Sequence, residues 1–408
     1  MERRMAAAQL PPHFPRVPKG ADRAAREHYL RANAAAIYDH LTDRRTTFLR
    51  VDELCRRAAE AFPGLVPSAE ELEAEAPLLQ RDKKGVEIDQ GLFLSHVLAD
   101  PAAGAHLCHA MLLPRGAAQA RLGEYASRGE LDLGTAHVRR EGKASIVTMR
   151  NPRFLNAEDE STLEPLETAI DLALLDSNTE ICVLRGAAVT HTRHAGRRLF
   201  GAGINLTHLY QGKVRYLWYL IRDLGLVSKL YRGLAYPAVS PEVDSREKLW
   251  VAVVEGFAIG GHCQILLTMD YTIAASDAYL SLPARKEGIV PGAANLRLPR
   301  FVGDRIARQA VMNERRIDCA SPEGRLICDE IVAPEQMDAA VSKVVERLTG
   351  SGVVSAASNR RAFRIVQEPL DSFRRYMSVY AREQAYCHFS PALIANLEKN
   401  WNAASRRA

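Results

Sequence analysis

The sequence predicts an α/β core with helical regions before and after it, and three observations carry that prediction. Short β-rich runs alternate with helical stretches through residues 134–303. Glycine turns separate strand from helix within that part. On either side, apolar residues recur at helical spacing with few β-type runs.

Residues 1–20 are Pro-rich and basic, which predicts an extended arm. Residues 21–133 read as an N-terminal helical domain. ADRAAREHYLRANAAAIYDHL and VDELCRRAAEAF both carry the helical period, and Ser68 followed by Glu71 predicts a capping box. The α/β core spans 134–303. It opens with a strand from Ala144 to Met149, broken at Asn151-Pro152, and continues with the helical STLEPLETAIDLALLDS and the strand EICVLRGA. LWVAVVEGFAIGGHCQILLTMDYTIAA then supplies strand, glycine turn, helix and strand. Residues 304–408 return to helix, interrupted by GRLICDEIVAP.

Among 408 residues, 47% are hydrophobic and 25% charged, which excludes wholesale disorder. The formal charge of +5 is small for this length. It points to local basic patches for an anionic ligand and away from nucleic acid. No apolar run approaches the ~18–20 residues that span a bilayer, so no membrane partner is expected. The start, MERRMAAAQLPPHFPR, is too weakly apolar for a secretory signal. Seven scattered cysteines without a CxxC pair suit reduced thiols, so a cytoplasmic location is expected.

Two glycine loops carry the chemistry: LFGAGINL, from Leu199 to Leu206, and VEGFAIGGHCQILL, from Val254 to Leu267. Backbone N–H groups converge on one atom only where the chain turns sharply and no side chain intrudes, which favours glycine. The same glycines would also permit close strand–helix packing. With RNPRFLNA at 150–157, YTIAASDAYLSLPARKEGIVPGAANLRLPRFVG at 271–303 and RRIDCASPEGRLICDEIVAPEQMDAA at 315–340, the loops stand in an order that resembles the crotonase (enoyl-CoA hydratase/isomerase) superfamily. The resemblance implies a ββα spiral core and a coenzyme A thioester substrate. It further implies C-terminal helices that serve oligomerisation and cover the active site. It places an oxyanion hole at the N–H groups of Ile204, just after Gly203, and Gly261, at the positive end of the following helix.

The chain departs from that family where hydration chemistry resides. Gln264 and Ala284 stand where the family carries carboxylates, and neither can act as acid or base. Nearby Glu287 reads as a solvated loop charge beside Arg285 and Lys286. Glu158 is either a pocket acid or an exposed first-turn acid favoured by the helix dipole. Arg222, at helical spacing from Trp218 and Tyr219, either finds a buried acceptor or snorkels outward. Gln264 is placed to hydrogen-bond a ligand. In HTRHAGRR, from His191 to Arg198, the residues His191, Arg193 and His194 are expected to meet coenzyme A phosphates, as is Arg153. The HxxH pair lacks a third ligand, so no metal is expected.

The lost carboxylates and the helical extension resemble one branch of the family in particular. That branch oxygenates an arylacetyl-CoA with O2, without metal or flavin, in antibiotic biosynthesis. The resemblance implies an enolate intermediate, an arylglyoxylate product, and a homo-oligomer, trimer or hexamer. The alternatives are a hydrolase, isomerase or lyase with Glu158 as base, and a non-catalytic acyl-CoA-binding protein.

Overall fold

Continuous apolar runs organise the core, as strands covered on both faces require. In the computed structural model, which describes residue 17 and residues 22–406, seven strands form one sheet. Their spatial order is Glu130–Asp132, Ala136–Glu141, Ala144–Met149, Ile181–Gly186, Leu249–Val254, Tyr271–Ala275 and Glu330–Val332. The first three pair antiparallel and the rest parallel. Val147 faces Leu184, Leu184 faces Ala252, and Val253 faces Ile273. All six residues of Ile181–Gly186 are buried, as a parallel strand covered on both faces requires. A smaller sheet joins Phe257–Ile259, Tyr279–Ser281 and Ile317–Asp318. The arm expected over residues 1–20 lies outside the described residues apart from Val17.

The chain divides into two compact units. One draws on the described residues of Met1–Met111, His208–Ile221 and Leu370–Ala408; the other on Leu112–Thr207 and Arg222–Pro369. These units cut across the ranges 21–133, 134–303 and 304–408, because the chain leaves the sheet-bearing unit at residue 208 and re-enters it at 222. In the first unit, helix Ile88–Ala99 packs on helix Leu370–His388, burying Leu92, Phe93, Phe373 and Met377. Each such side chain contributes about 1.5–3 kcal/mol. The Ser68 capping box forms as read, with Glu71 N–H donating to Ser68 Oγ at 3.2 Å and Ser68 N–H to Glu71 Oε2 at 2.8 Å.

The helix-like stretch around Arg222 is not one helix. It breaks into Leu206–Tyr210, Tyr216–Ile221, a π-helical segment Arg222–Val227, and Ser228–Arg232. Ser228 Oγ donates to the Asp223 carbonyl at 2.8 Å within that widened turn. All seven cysteines are free thiols, six of them buried. No described helix is long and apolar enough to cross a membrane.

In the sheet-bearing unit, Glu368 is fully buried between Arg232 (3.0 Å), Arg297 (2.9 Å) and Arg300 (3.0 Å). Burial alone would raise its pKa, but the three guanidinium groups outweigh it and hold the carboxyl at about 2. A pKa depressed on folding stabilises the fold above the unfolded value and loses that stabilisation as pH falls through the folded value. Glu368→Gln is therefore expected to lower the unfolding free energy by about 3 kcal/mol at neutral pH. Denaturant titrations from pH 7 downward should show the gap to the parent narrowing between roughly pH 4.5 and 2.

Candidate active site

The site is assembled from loops of the sheet-bearing unit. The Asn-Pro break turns the chain after strand Ala144–Met149, with Leu155 and Asn156 both at a φ of 57°. Asn156 offsets that left-handed backbone by donating to the carbonyls of Ala187 and Leu199, each at 2.8 Å. Glu158 comes next, as a bridge beside the first glycine loop: its N–H donates to Gly203 O, and Asn205 N–H donates to Glu158 O, both at 2.7 Å. Asp159, not Glu158, caps helix Glu160–Leu175. The exposed first-turn reading of Glu158 is thus corrected: its side chain is buried, at 3% exposure.

Gly203 adopts a φ of +78°, open to glycine at little cost, and its N–H donates to His262 Nδ1 at 3.0 Å. His262 directly succeeds Gly261 in the second loop, so the two loops are tied together. Because Nδ1 accepts, the ring proton sits on Nε2. Burial pushes the His262 pKa down to about 4, which keeps the imidazole neutral and able to accept. The N–H groups of Ile204 and Gly261 have no acceptor among the described residues. Two unpaired donors on touching loops are chemically suited to an oxygen that gains negative charge.

Arg222 is not a snorkelling surface residue; it is 2% exposed. Its Nε and Nη2 donate to Glu158 Oε1 and Oε2, each at 2.9 Å. Nη2 also donates to Gly261 O at 2.7 Å, and Nη1 donates to Asp223 Oδ1 and Gln264 Oε1, both at 2.9 Å. These five bonds occupy all five guanidinium N–H groups. Burial would raise the Glu158 pKa, but chiefly the Arg222 charge reverses this and leaves it below its ordinary value. An ionised carboxylate with both oxygens engaged is a poor proton acceptor. Since Gln264 Oε1 accepts from Arg222, only its NH2 remains to donate elsewhere.

The structure thus brings together Glu158, Gly203, Ile204, Arg222, Gly261 and Gln264. Arg153, His191 and Arg193 are exposed. Thr190 N–H donates to Pro152 O at 3.1 Å, joining the Arg153 turn to the His191 loop. His194 is half-buried, edge-on to Phe257 at 5.7 Å. The His191 and His194 rings are 6.3 Å apart, and no group of three His, Cys, Asp or Glu suited to a metal occurs among the described residues.

Sequence reasoning missed three residues. His262 and Asp223 directly succeed two that it named, and adjacency was the available signal. The third is Glu287, expected as a solvated charge but only 4% exposed. It ends the one-turn helix Ala284–Glu287, where positions three apart share a face, so Ala284 and Glu287 both turn inward. Arg285 and Lys286 reach outward to Glu314.

Seen against known proteins, this fold and site define a class. The Enoyl-CoA hydratase/isomerase family model matches residues 140–372, and the chain belongs to that family. It is 46% identical over 364 residues to the (3,5-dihydroxyphenyl)acetyl-CoA 1,2-dioxygenase of Amycolatopsis orientalis, covering 89% of this chain and 83% of that protein. It is 24% identical to a short-chain-enoyl-CoA hydratase of Clostridium acetobutylicum, covering 57% of this chain and 82% of the relative. A solved enoyl-CoA hydratase from Mycobacterium avium subsp. paratuberculosis shares the fold, with a TM-score of 0.55 at 20% identity over 68% of this chain and all of that one.

Proposed function

We propose that this chain is a cofactor-independent dioxygenase that converts (3,5-dihydroxyphenyl)acetyl-CoA and O2 to (3,5-dihydroxyphenyl)glyoxylate and coenzyme A. The observation that carries this reading is 46% identity across 89% of the chain to a protein of that activity. The site supports it. Ile204 and Gly261 are the oxyanion hole for the thioester enolate, and Gln264 and Ala284 offer no carboxylate for hydration. Glu158, locked to Arg222, is unsuited to the base role that a hydrolase, isomerase or lyase would ask of it.

The chemistry needs no resident oxidant. An arylacetyl enolate delocalises into its ring and donates one electron to O2, and the resulting pair recombines as a peroxide at the α-carbon. The peroxide attacks the thioester carbonyl and expels the coenzyme A thiolate. The second α-proton is then released to solvent as the O–O bond breaks, and its C–H electron pair forms the ketone while the other oxygen leaves as the carboxylate. The protein supplies the donors, the orientation and a water-poor site. Arg153, His191, Arg193 and His194 are assigned to coenzyme A, with a homo-oligomeric trimer or hexamer as the assembly. The proposed pathway is glycopeptide antibiotic biosynthesis.

Oxygen uptake by the purified protein tests the reading. With (3,5-dihydroxyphenyl)acetyl-CoA and excess chelator, O2 consumption should match arylglyoxylate formed, with no flavin absorbance. Crotonyl-CoA hydration should be negligible. A stoichiometric metal required for turnover, or hydration at an ordinary enzymatic ~1–1,000 per second, would overturn it.

A further inference from the structure

Glu287 is a buried carboxyl to which the dioxygenase chemistry has so far given no task. Among the described residues it accepts no hydrogen bond and makes no ion pair. Neither oxygen is among the fully enclosed unpartnered atoms, so the carboxyl borders accessible space, and its place gives it a task. A β-carbon added to Gly260, the residue before Gly261, would lie 3.9 and 4.0 Å from the Glu287 oxygens and 3.6 Å from Gly203 Cα. The carboxyl therefore faces the space between the two glycine loops, beside the unpaired Ile204 and Gly261 donors. The competing carboxylate, Glu158, is consumed by Arg222.

We infer that Glu287 is the base that takes the first α-proton of the bound arylacetyl thioester, an assignment that rests on the dioxygenase reading. The α C–H bond breaks and an O–H bond forms on Glu287. The electron pair becomes the enolate, whose negative oxygen is held by the Ile204 and Gly261 N–H groups. O2 is the oxidant for the later steps. When the thioester is cleaved, the proton passes from Glu287 to the departing coenzyme A thiolate, which restores the carboxylate. Burial raises the Glu287 pKa to about 8, with Lys286 offsetting part of that rise. A group so poised accepts and returns a proton near neutrality. The family's carboxylate at the Ala284 position is lost, and this chain carries one on the same helix face, one turn later.

The test is hydrogen exchange without oxygen. Parent protein and (3,5-dihydroxyphenyl)acetyl-CoA are incubated anaerobically in D2O, and deuterium at the α-carbon is read by mass spectrometry. Glu287→Gln preserves shape and should slow both exchange and aerobic O2 uptake by about a hundredfold or more, with the Kd for the thioester within about twofold. Glu287→Asp retains a displaced carboxyl and should fall between the two. Exchange by Glu287→Gln within about threefold of the parent overturns the assignment. A parent that exchanges, loses exchange in Glu287→Gln, yet consumes no O2 keeps Glu287 as base and refutes the dioxygenase reading. A parent that neither exchanges nor consumes O2 refutes both.

Discussion

Arg222→Ala is expected to lower the unfolding free energy by about 3–5 kcal/mol and to remove measurable O2 uptake. The substitution deletes five hydrogen bonds at once and leaves Glu158 and Asp223 as buried carboxylates without their shared cation. Removing one partner of a buried ion pair costs more than the pair contributes, because the remaining charge keeps its desolvation penalty. Arg222→Lys separates the two effects. It keeps a charge but offers three donors in place of a planar fork of five, so Glu158, Gly261 O and Gln264 cannot all be held. Turnover should drop at least tenfold, about 1.4 kcal/mol, with a smaller stability loss than for alanine. Denaturant titration beside steady-state O2 consumption measures both. Parent-like kinetics in the lysine variant would show that the fork has no part in turnover.

Gly261→Ala should lower turnover steeply. A β-carbon there would lie 2.2 Å from Glu158 Oε2 and 2.8 Å from Arg222 Nη2, so the loop must shift or the carboxylate must leave its guanidinium. On the oxyanion-hole assignment proposed above, either movement displaces the Gly261 N–H from the enolate oxygen. Loss of one such donor typically costs 10²–10³ in kcat, about 3–4 kcal/mol. Because this donor acts on charge that develops only as the enolate forms, kcat should fall much further than KM rises. Pre-steady-state and steady-state oxygen traces on both proteins provide the comparison. A kcat within about threefold of the parent would remove Gly261 from the oxyanion hole.

Much of this architecture is legible in residue order. Strands Ala144–Met149, Ile181–Gly186 and Leu249–Val254 match their apolar runs, and the glycine loops fall where their spacing placed them. Local rules reach that far because strand faces and turns depend on neighbouring residues. The partners of Arg222 are less visible. Glu158 lies 64 residues before it and Gln264 lies 42 after it, separations that no periodicity links. Glu287 was misread because a four-residue helix is too short to show a period, although positions 284 and 287 share its face. The unit boundaries escaped for a third reason. A contiguous division cannot express a chain that departs after Thr207 and comes back at Arg222.

The widened turn at Arg222–Val227 makes chain length itself part of the specification. A π turn accommodates an additional residue relative to an α turn, so the residues before and after it are offset in phase around the helix axis. Substitution at 224, 226 or 227 changes packing and leaves that phase intact. Losing a single residue would let the segment relax into ordinary α-helix, with its hydrogen bonds complete. Arg222 and Asp223 would then be swung about a quarter-turn relative to helix Ser228–Arg232, by the ~100° that one helical residue subtends. Descent within such a lineage would therefore tolerate point changes here far more readily than deletions. Kinship in this segment is better judged by gap placement than by percentage identity.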